Sequence, residues 1–591
     1  MGCGALSKEQ DFSAAGNAPD ANQAYKNQQA NEAAGAIGMS QGLSSKIQFS
    51  IRLNDLTKMD LMSKSDPFCV VKTKVGKQTN WIEIGRTEII ANTQNPEFVT
   101  LMQMHYHFEE MQYVRFECYD ADSQFLSSDS KTLDLAKQDF QGASEVILSQ
   151  MMGVQCRGNW SAPLEGCKKQ SKNKPTITVC AEEIANVNAL VSMELRAEGV
   201  VGKDLLSKAD PFIRISSLSE KNSWIPCFKT EVKRNTSRPT WNMISSTVQI
   251  LANGDVYRPL QFECFDHNSN GSHALIGSCQ VSLNDLEVKK TQASEEAISL
   301  PLVEHAKKGN SGYMDSGKLF FEKFNMERRP SFLDYIKGGS EISFIVAIDY
   351  TASNGDPVRP DSLHYVDPTG ARLNQYANAI LGIGNVIEFY DSDKKFPVFG
   401  FGGKQGGTET VSHCFAANGN PSEPDAHPQP GVAGILQTYY NSMKQIRLSG
   451  PTLFAPLLAE AAALAQSAHG TGQYYILLIL TDGVIHDMPA TVETIVGSAH
   501  LPLSILIVGV GDADFSAMEE LDGDQKRLKS MSGKEAPRDI VQFVELSKYQ
   551  SQNGSCNQHE LAKELLAEVP FQFLSYMSAA GISPGSAVQN L

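Results

Sequence analysis

The sequence predicts a multidomain chain, with two all-β sandwiches followed by an α/β doubly wound domain. Three observations carry that expectation. A block of about 130 residues occurs twice in the first half, the mark of a duplicated module. Inside each copy apolar residues alternate with polar ones, the period of half-buried strands. From about residue 341 the alternation stops, and uninterrupted apolar runs are interleaved with helical stripes, as in a parallel sheet covered on both faces. At 591 residues the chain is expected to hold three or four domains of about 150 residues each.

Residues 1–45 come first. They are rich in Ala, Asn, Gln, Ser and Gly with few large apolar groups, so a flexible tether is expected. The opening MGCGALSK carries Gly2 and Cys3, candidates for myristoylation and palmitoylation. Two acyl chains anchor stably where one is marginal. Leu6 stands where the usual pattern has Ser or Thr, and an unmodified tail is the alternative. No charged-then-apolar leader opens the sequence, and runs such as YYILLIL (474–480) fall short of the roughly 20 residues that span a bilayer. Eleven cysteines show no CxxC pair, and Cys156 and Cys167 lack the spacing of a metal clip. Reduced thiols in a cytoplasmic protein are therefore expected. The balance is acidic, 51 Lys and Arg against 67 Asp and Glu, which argues against nucleic acid as a partner. An anionic membrane would be repelled too, unless a cation stands between.

The first module covers 46–165 and the second 175–326. SKSDPF (63–68) recurs as SKADPF (207–212), GRTEIIANTQNPEF (85–98) as FKTEVKRNTSRPTW (228–241), and VRFECYDAD (114–122) as LQFECFDHN (260–268). In KIQFSIRL the residues Ile47, Phe49, Ile51 and Leu53 share a face, and VSMELR does the same with Val191, Met193 and Leu195. Short strands between Asn, Gly, Pro and Ser turns fit a sandwich whose loops gather at its ends. Acidic residues collect in those loops: Asp60 and Asp66 before PF, Asp120 and Asp122 at the close of the strand from Val114, then Asp129. Carboxylates from two loops at one end offer hard oxygens without a rigid cage, a set that suits calcium; a solvated acidic loop is the alternative.

The third domain covers 330–575, with a flexible tail expected over 576–591. Its strands are ISFIVAI (342–348), YYILLIL (474–480) and LPLSILIVGV (501–510), and LFAPLLAEAAALAQSA is a helix with Leu453, Leu457, Ala461 and Leu464 in one stripe. Ligands of such folds sit beyond the carboxyl ends of the strands. Asp349, Thr351 and Ser353 follow the first strand, Asp482 follows the second, and Thr452 opens the helix. Two carboxylates and three hydroxyls leave part of a divalent shell open, which suits magnesium. Helix capping is the alternative for Thr452, and an Asp-Gly turn for Asp482. GFGGKQGG (400–407) is not a phosphate loop, because no Ser or Thr follows Lys404 and the third glycine is missing; a flexible connection is expected. His105, His107, His413 and His486 lack ligand spacing and read as core or surface residues.

SKSDPF with ECYDAD resembles C2 domains of the calcium- and phospholipid-binding type. That resemblance implies calcium at Asp60, Asp66, Asp120, Asp122 and Asp129, with lipid phosphates completing the shell and the metal inverting the charge of the loops. In the second copy Asp204, Asp210 and Asp266 remain, but Asn268 replaces the partner of Asp122, and Asn270 and Ala274 fall where acids are expected. A weak or degenerate site is implied. Asp349-x-Thr351-x-Ser353 with Thr452 and Asp482 resembles the metal-ion-dependent adhesion site of a von Willebrand factor A domain, Thr351 replacing a serine. This implies Mg²⁺ or Mn²⁺ that takes an acidic side chain of a partner as its last ligand. Two C2 domains followed by an A domain resemble the copines over about residues 46–575. The resemblance implies a non-enzymatic, calcium-dependent phospholipid-binding protein at the inner face of the plasma membrane, acting on client proteins in signalling or membrane trafficking. One rival is an acylated membrane scaffold with little calcium dependence. The other is a magnesium-dependent phosphatase of the haloacid-dehalogenase type with Asp349 as nucleophile; Thr351 argues against it, standing where a general acid is needed.

Overall fold

The computed structural model describes residues 44–58, 64–122, 129–167, 174–184, 189–200, 208–219, 222–268, 273–292, 297–308, 312–327, 330–426, 429–523, 527–551 and 555–585. Gly2, Cys3, Asp60, Asp204 and Asn270 lie outside them. The described residues of 184–329 make one compact unit, and those of 44–183 with 330–585 make another.

The first sandwich has strands β1 (Ser44–Asn54), β2 (Pro67–Val75), β3 (Ile82–Arg86), β4 (Met102–His107), β5 (Gln112–Asp120) and β6 (Asp139–Ile147). A one-turn helix α1 (Leu148–Met152) leads to β7 (Asn159–Pro163) and β8 (Thr176–Glu183). Its sheets run β4-β1-β8-β7 and β3-β2-β5-β6. The alternation read from the sequence is realised: Ile47, Phe49, Ile51 and Leu53 are buried while their neighbours face out. Antiparallel pairing sends the β1–β2, β3–β4 and β5–β6 connections to one end of the sandwich. The β2–β3, β4–β5 and β6–β7 connections leave from the other.

The second sandwich repeats the plan. Its elements are β9 (Leu190–Glu198), β10 (Pro211–Leu218), β11 (Trp224–Lys229), β12 (Ile244–Thr247), α2 (Val248–Ala252), β13 (Pro259–Asp266), β14 (Ala274–Ser282), α3 (Leu283–Gln292), β15 (Ile298–Pro301) and β16 (Lys318–Glu327). The sheets run β12-β9-β16-β15 and β11-β10-β13-β14, the same order as in the first copy.

The α/β domain opens with α4 (Phe332–Lys337), β17 (Glu341–Asp349), α5 (Gln375–Ile387), β18 (Val398–Phe401), β19 (Gly403–Gln405) and β20 (Phe415–Ala416). It continues through α6 (Gly431–Ser442), β21 (Ile446–Leu448), α7 (Ala455–Ser467), β22 (Gln473–Thr481), α8 (Met488–Ser498) and β23 (Leu503–Gly509). It closes with α9 (Ser516–Asp522), β24 (Val541–Glu545), α10 (Gln558–Leu566) and α11 (Val569–Ala579). The central sheet runs β20-β18-β17-β22-β23-β24, parallel except for β20. Successive residues of β17 feed opposite cores, Phe344 and Val346 on one face and Ile345 and Ala347 on the other, which is why the strand reads as an unbroken apolar run. The stripe of α7 comprises Leu457, Leu458, Ala461 and Ala465; Leu453 lies before the helix and Leu464 is only half-buried. The boundary expected at 575 falls inside α11, and the Tyr335 hydroxyl donates to the carbonyl of Ile582 at 2.8 Å, so the chain is held down as far as Ile582.

The first sandwich and the α/β domain, expected as separate bodies, share one hydrophobic core. Phe108, between β4 and β5, stands edge-on to Phe332 of α4 at 5.0 Å between ring centres and 4.9 Å from Tyr390. Tyr106 and Tyr390 join hydroxyl to hydroxyl. Lys563 of α10 pairs with Glu110 at 3.0 Å. Ser331, the capping-box residue of α4, donates its hydroxyl to Glu183 at the end of β8. The 184–329 segment is therefore an insertion whose points of departure and return lie side by side.

Candidate metal centres

At one end of the first sandwich, Asp66 opens β2 and Asp120 closes β5. The Asp120 carboxylate accepts from the Asp66 amide at 2.5 Å, and the Asp66 carboxylate accepts from the Asn92 amide at 2.6 Å. Asn92 is left-handed (φ 56), a conformation that asparagine tolerates. Both carboxylates are buried. Asp122 and Asp129 are exposed in the β5–β6 connection. The Asp122 amide donates to Gln138, and Asp129 caps the 3₁₀ turn Ser130–Thr132 by accepting from Lys131 at 3.0 Å. The structure thus brings Asp66 and Asp120 into contact and leaves Asp122 and Asp129 outside that pair. Among the described residues no group of three or more His, Cys, Asp or Glu side chains is set to hold a metal ion.

The second sandwich reproduces the pair. Asp266 accepts from the Asp210 amide at 2.8 Å, and Asp210 from the amide of left-handed Asn235 at 2.6 Å. The two copies diverge immediately after this strand: His267 occupies the place of Ala121, and its ring stacks on His273 at 4.8 Å. The Asn268 amide donates to His273 Nδ1 at 3.2 Å. These imidazoles were not singled out in the sequence; the one signal was His267 next to Asp266, in the position of Ala121.

The α/β domain assembles four of its five expected residues at the carboxyl edge of the sheet. The Thr351 amide donates to Asp349 Oδ1 at 2.8 Å and the Thr481 hydroxyl to Asp349 Oδ2 at 2.7 Å. The Thr351 and Ser353 hydroxyls stand 2.9 Å apart and donate to Asp482 Oδ1 at 3.3 and 3.0 Å. Asp482 is thus bound to the first loop, more than an Asp-Gly turn requires. Asp349 is fully buried; desolvation and the charge of Asp482 push its carboxyl up to about 7, and burial raises Asp482 as well. Two carboxylates that oppose each other's ionisation beside two hydroxyls form a hard-oxygen set that a divalent cation would relieve, so the donor chemistry fits Mg²⁺ or Mn²⁺.

Thr452 is buried at the same edge, in a loop drawn alongside by the Ala352 amide donating to Ser449 at 2.7 Å. It is not a helix cap. Helix α7 begins three residues later, and Asp487 takes its first amides, Phe454 and Ala455, at 3.0 and 2.9 Å. The Thr452 carbonyl accepts from His486 at 3.0 Å, and no hydrogen bond joins its hydroxyl to the other four residues.

A second ring, not foreseen, backs the first loop. Asn354 donates to the Thr351 carbonyl and hydroxyl at 3.2 and 3.4 Å and accepts from Tyr376 at 2.6 Å. His364 Nε2 meets the Asp349 carbonyl at 2.8 Å and its Nδ1 the Tyr439 hydroxyl at 2.9 Å; burial pushes this imidazole down to about 4, so it is neutral. His364 sits in a connection without periodicity, which left no sequence signal. The glycines of 400–407 have a packing role. A Cβ on Gly402 would stand 2.4 Å from Thr351 Cγ2, and one on Gly400 would stand 2.6 Å from the Tyr350 ring.

Comparison with known proteins agrees with this layout. The Copine family model matches residues 362–585, and the C2 domain model matches 49–160 and 188–299. Protein BONZAI 2 of Arabidopsis thaliana is 41% identical over 553 residues, 92% of this chain and 91% of the relative. Protein BONZAI 1 of the same plant is 41% identical over 552 residues, 92% of each chain. The solved BON1-C2B structure is 34% identical over 24% of this chain and 93% of its own, with a TM-score of 0.21.

Proposed function

The chain belongs to the copine family, two C2 domains followed by a copine domain, and from that premise we propose that it is a calcium-dependent phospholipid-binding protein rather than an enzyme. Calcium loads the first C2 domain through Asp60, Asp66, Asp120, Asp122 and Asp129 and bridges it to anionic lipid at the inner face of the plasma membrane. The A domain then holds Mg²⁺ or Mn²⁺ through Asp349, Thr351, Ser353, Thr452 and Asp482, and presents it to an acidic side chain of a client in signalling or trafficking. When bound, that ion supplies an open coordination position. The protein's own part is to keep two mutually repelling carboxylates and two hydroxyls in contact before the ion arrives, so that little reorganisation is needed. In the second C2 domain Asp204, Asp210, Asp266 and Asn268 form at most a weak calcium site. Acylation at Gly2 and Cys3 supplies a second membrane signal.

The buried network of Asp349, Thr351, Ser353 and Asp482 is the observation that supports this reading most strongly. Co-sedimentation of the purified, unlipidated full chain with phosphatidylserine vesicles across calcium concentrations tests the lipid half. Binding is expected only with calcium and acidic lipid, and equal binding in EGTA sinks it.

A further inference from the structure

Among the described residues, the first C2 domain meets the A domain through one end. Its contacts include Tyr106 and Phe108 near the β4–β5 turn, Glu110, Gly153 after α1, and Ala181 and Glu183 near the end of β8. Asp66, Asn92 and Asp120 stand at the opposite end. In the A domain the receiving elements precede strands: α4 precedes β17, and the turn Glu388–Tyr390 precedes β18, so both lie at the amino edge of the parallel sheet, with α10 on its flank. The Asp349–Asp482 network lies at the carboxyl edge. Each loop end is therefore the end that faces away from the junction, one sheet length from it. The nine-residue strands β5 and β17 set each at roughly 30 Å.

The junction leaves little freedom. A Cβ on Gly153 would stand 2.2 Å from the Phe389 carbonyl oxygen, and one on Gly76 would stand 3.0 Å from His559 Cγ. Close-packed surfaces of this kind are not continuously deformable, so the two domains keep one orientation.

We propose that the junction holds the A-domain site facing the aqueous side when the first C2 domain docks by its loop end. The site then engages a carboxylate on a partner protein in solution and is out of reach of groups at the bilayer surface. This rests on the reading of the first C2 loop end as the lipid-facing end.

Two measurements on the full chain test it. Spin labels on unnatural residues at Ala91, next to Asn92 at the C2 loop end, and Val358, beside the A site, use exposed positions. Pulsed dipolar spectroscopy in solution should give one narrow distance, longer than the roughly 30 Å of a single sheet. Hydrogen exchange on phosphatidylserine vesicles in calcium should slow at 64–66 and 120–122 and stay unchanged at 349–355, 449–454 and 481–487. A short or broad distance, or vesicle protection of the A-site segments, overturns the orientation while leaving the lipid reading standing. Absence of vesicle binding in calcium, with the long distance intact, defeats the lipid reading and this orientation with it.

Discussion

Asp66 and Asp210 do the same local work in the two C2 domains: each carboxylate takes the amide of a left-handed asparagine and fixes the loop in front of a strand. That duty exists without calcium. Asp210→Ala should therefore cost about 1–2 kcal/mol in chelator, the worth of a hydrogen bond to a charged acceptor that is partly open to water. Denaturant unfolding of the full chain in EDTA measures it, and an unchanged midpoint would reduce the residue to a ligand position alone. His107 carries a pH signature. The Glu109 carboxylate, 3.7 Å from its Nδ1, and the charge of Glu110 hold it above the ordinary histidine value against the opposing effect of burial. A raised folded-state value means stability that is complete below about 6.5, the unfolded value, and lost as pH rises through the higher folded-state value. The advantage of the native protein over His107→Gln in thermal midpoint should shrink between pH 6 and 8; a constant gap would contradict it. The residue types at these sites were legible because carboxylates in paired blocks stand out at fixed offsets. Asn92 and His107 were not, since nothing in their spacing marks a backbone in the left-handed region or a charge at a domain junction.

At the scale of elements, the strands were the most legible part. Alternation marks β1 and β9, and the loss of alternation marks β17, β22 and β23, because a strand covered on both faces has no polar position to spare. The start of α7 was harder. Thr452 has the right side chain for a cap, but Asp487, after the next strand, reaches back to the first amides, a long-range partner that local pattern cannot reveal. The glycine-rich stretch shows the same limit. Its purpose depends on what lies against it, and Gly402, at φ 74, lies against Thr351. Gly402→Ala should thus act on the proposed metal site without being a ligand in it. A methyl there must push Thr351 aside, and the left-handed backbone adds strain, together about 1–2 kcal/mol of stability. Manganese titration of the full chain, followed by its electron spin resonance, should show affinity reduced tenfold or more. Wild-type affinity would mean that Thr351 can shift without loss of ligation.

For the whole molecule, chain order and structural partnership differ. The second C2 domain stands between the first and the A domain in sequence, while the core of the first continues into the A domain. Nothing in the sequence marks Phe108, Phe332, Tyr390 and Phe573 as junction residues, because apolar pattern says that a residue is buried and not which domain buries it. A shared core has a thermodynamic consequence: burial lost on one side is lost to both, so the two bodies unfold together. Phe108→Ala removes a fully buried ring that packs on Phe332 and Tyr390, and changes of that kind cost about 3–5 kcal/mol. The loss should appear in amides of the A domain as well as in those of the C2 domain that carries the residue. Native-state hydrogen exchange would read it as a common drop in opening free energy for strands β5 and β17, with β13 of the second C2 domain unaffected. If β17 kept its protection while β5 lost it, the aromatic junction would be a contact between independent domains and not the middle of one core.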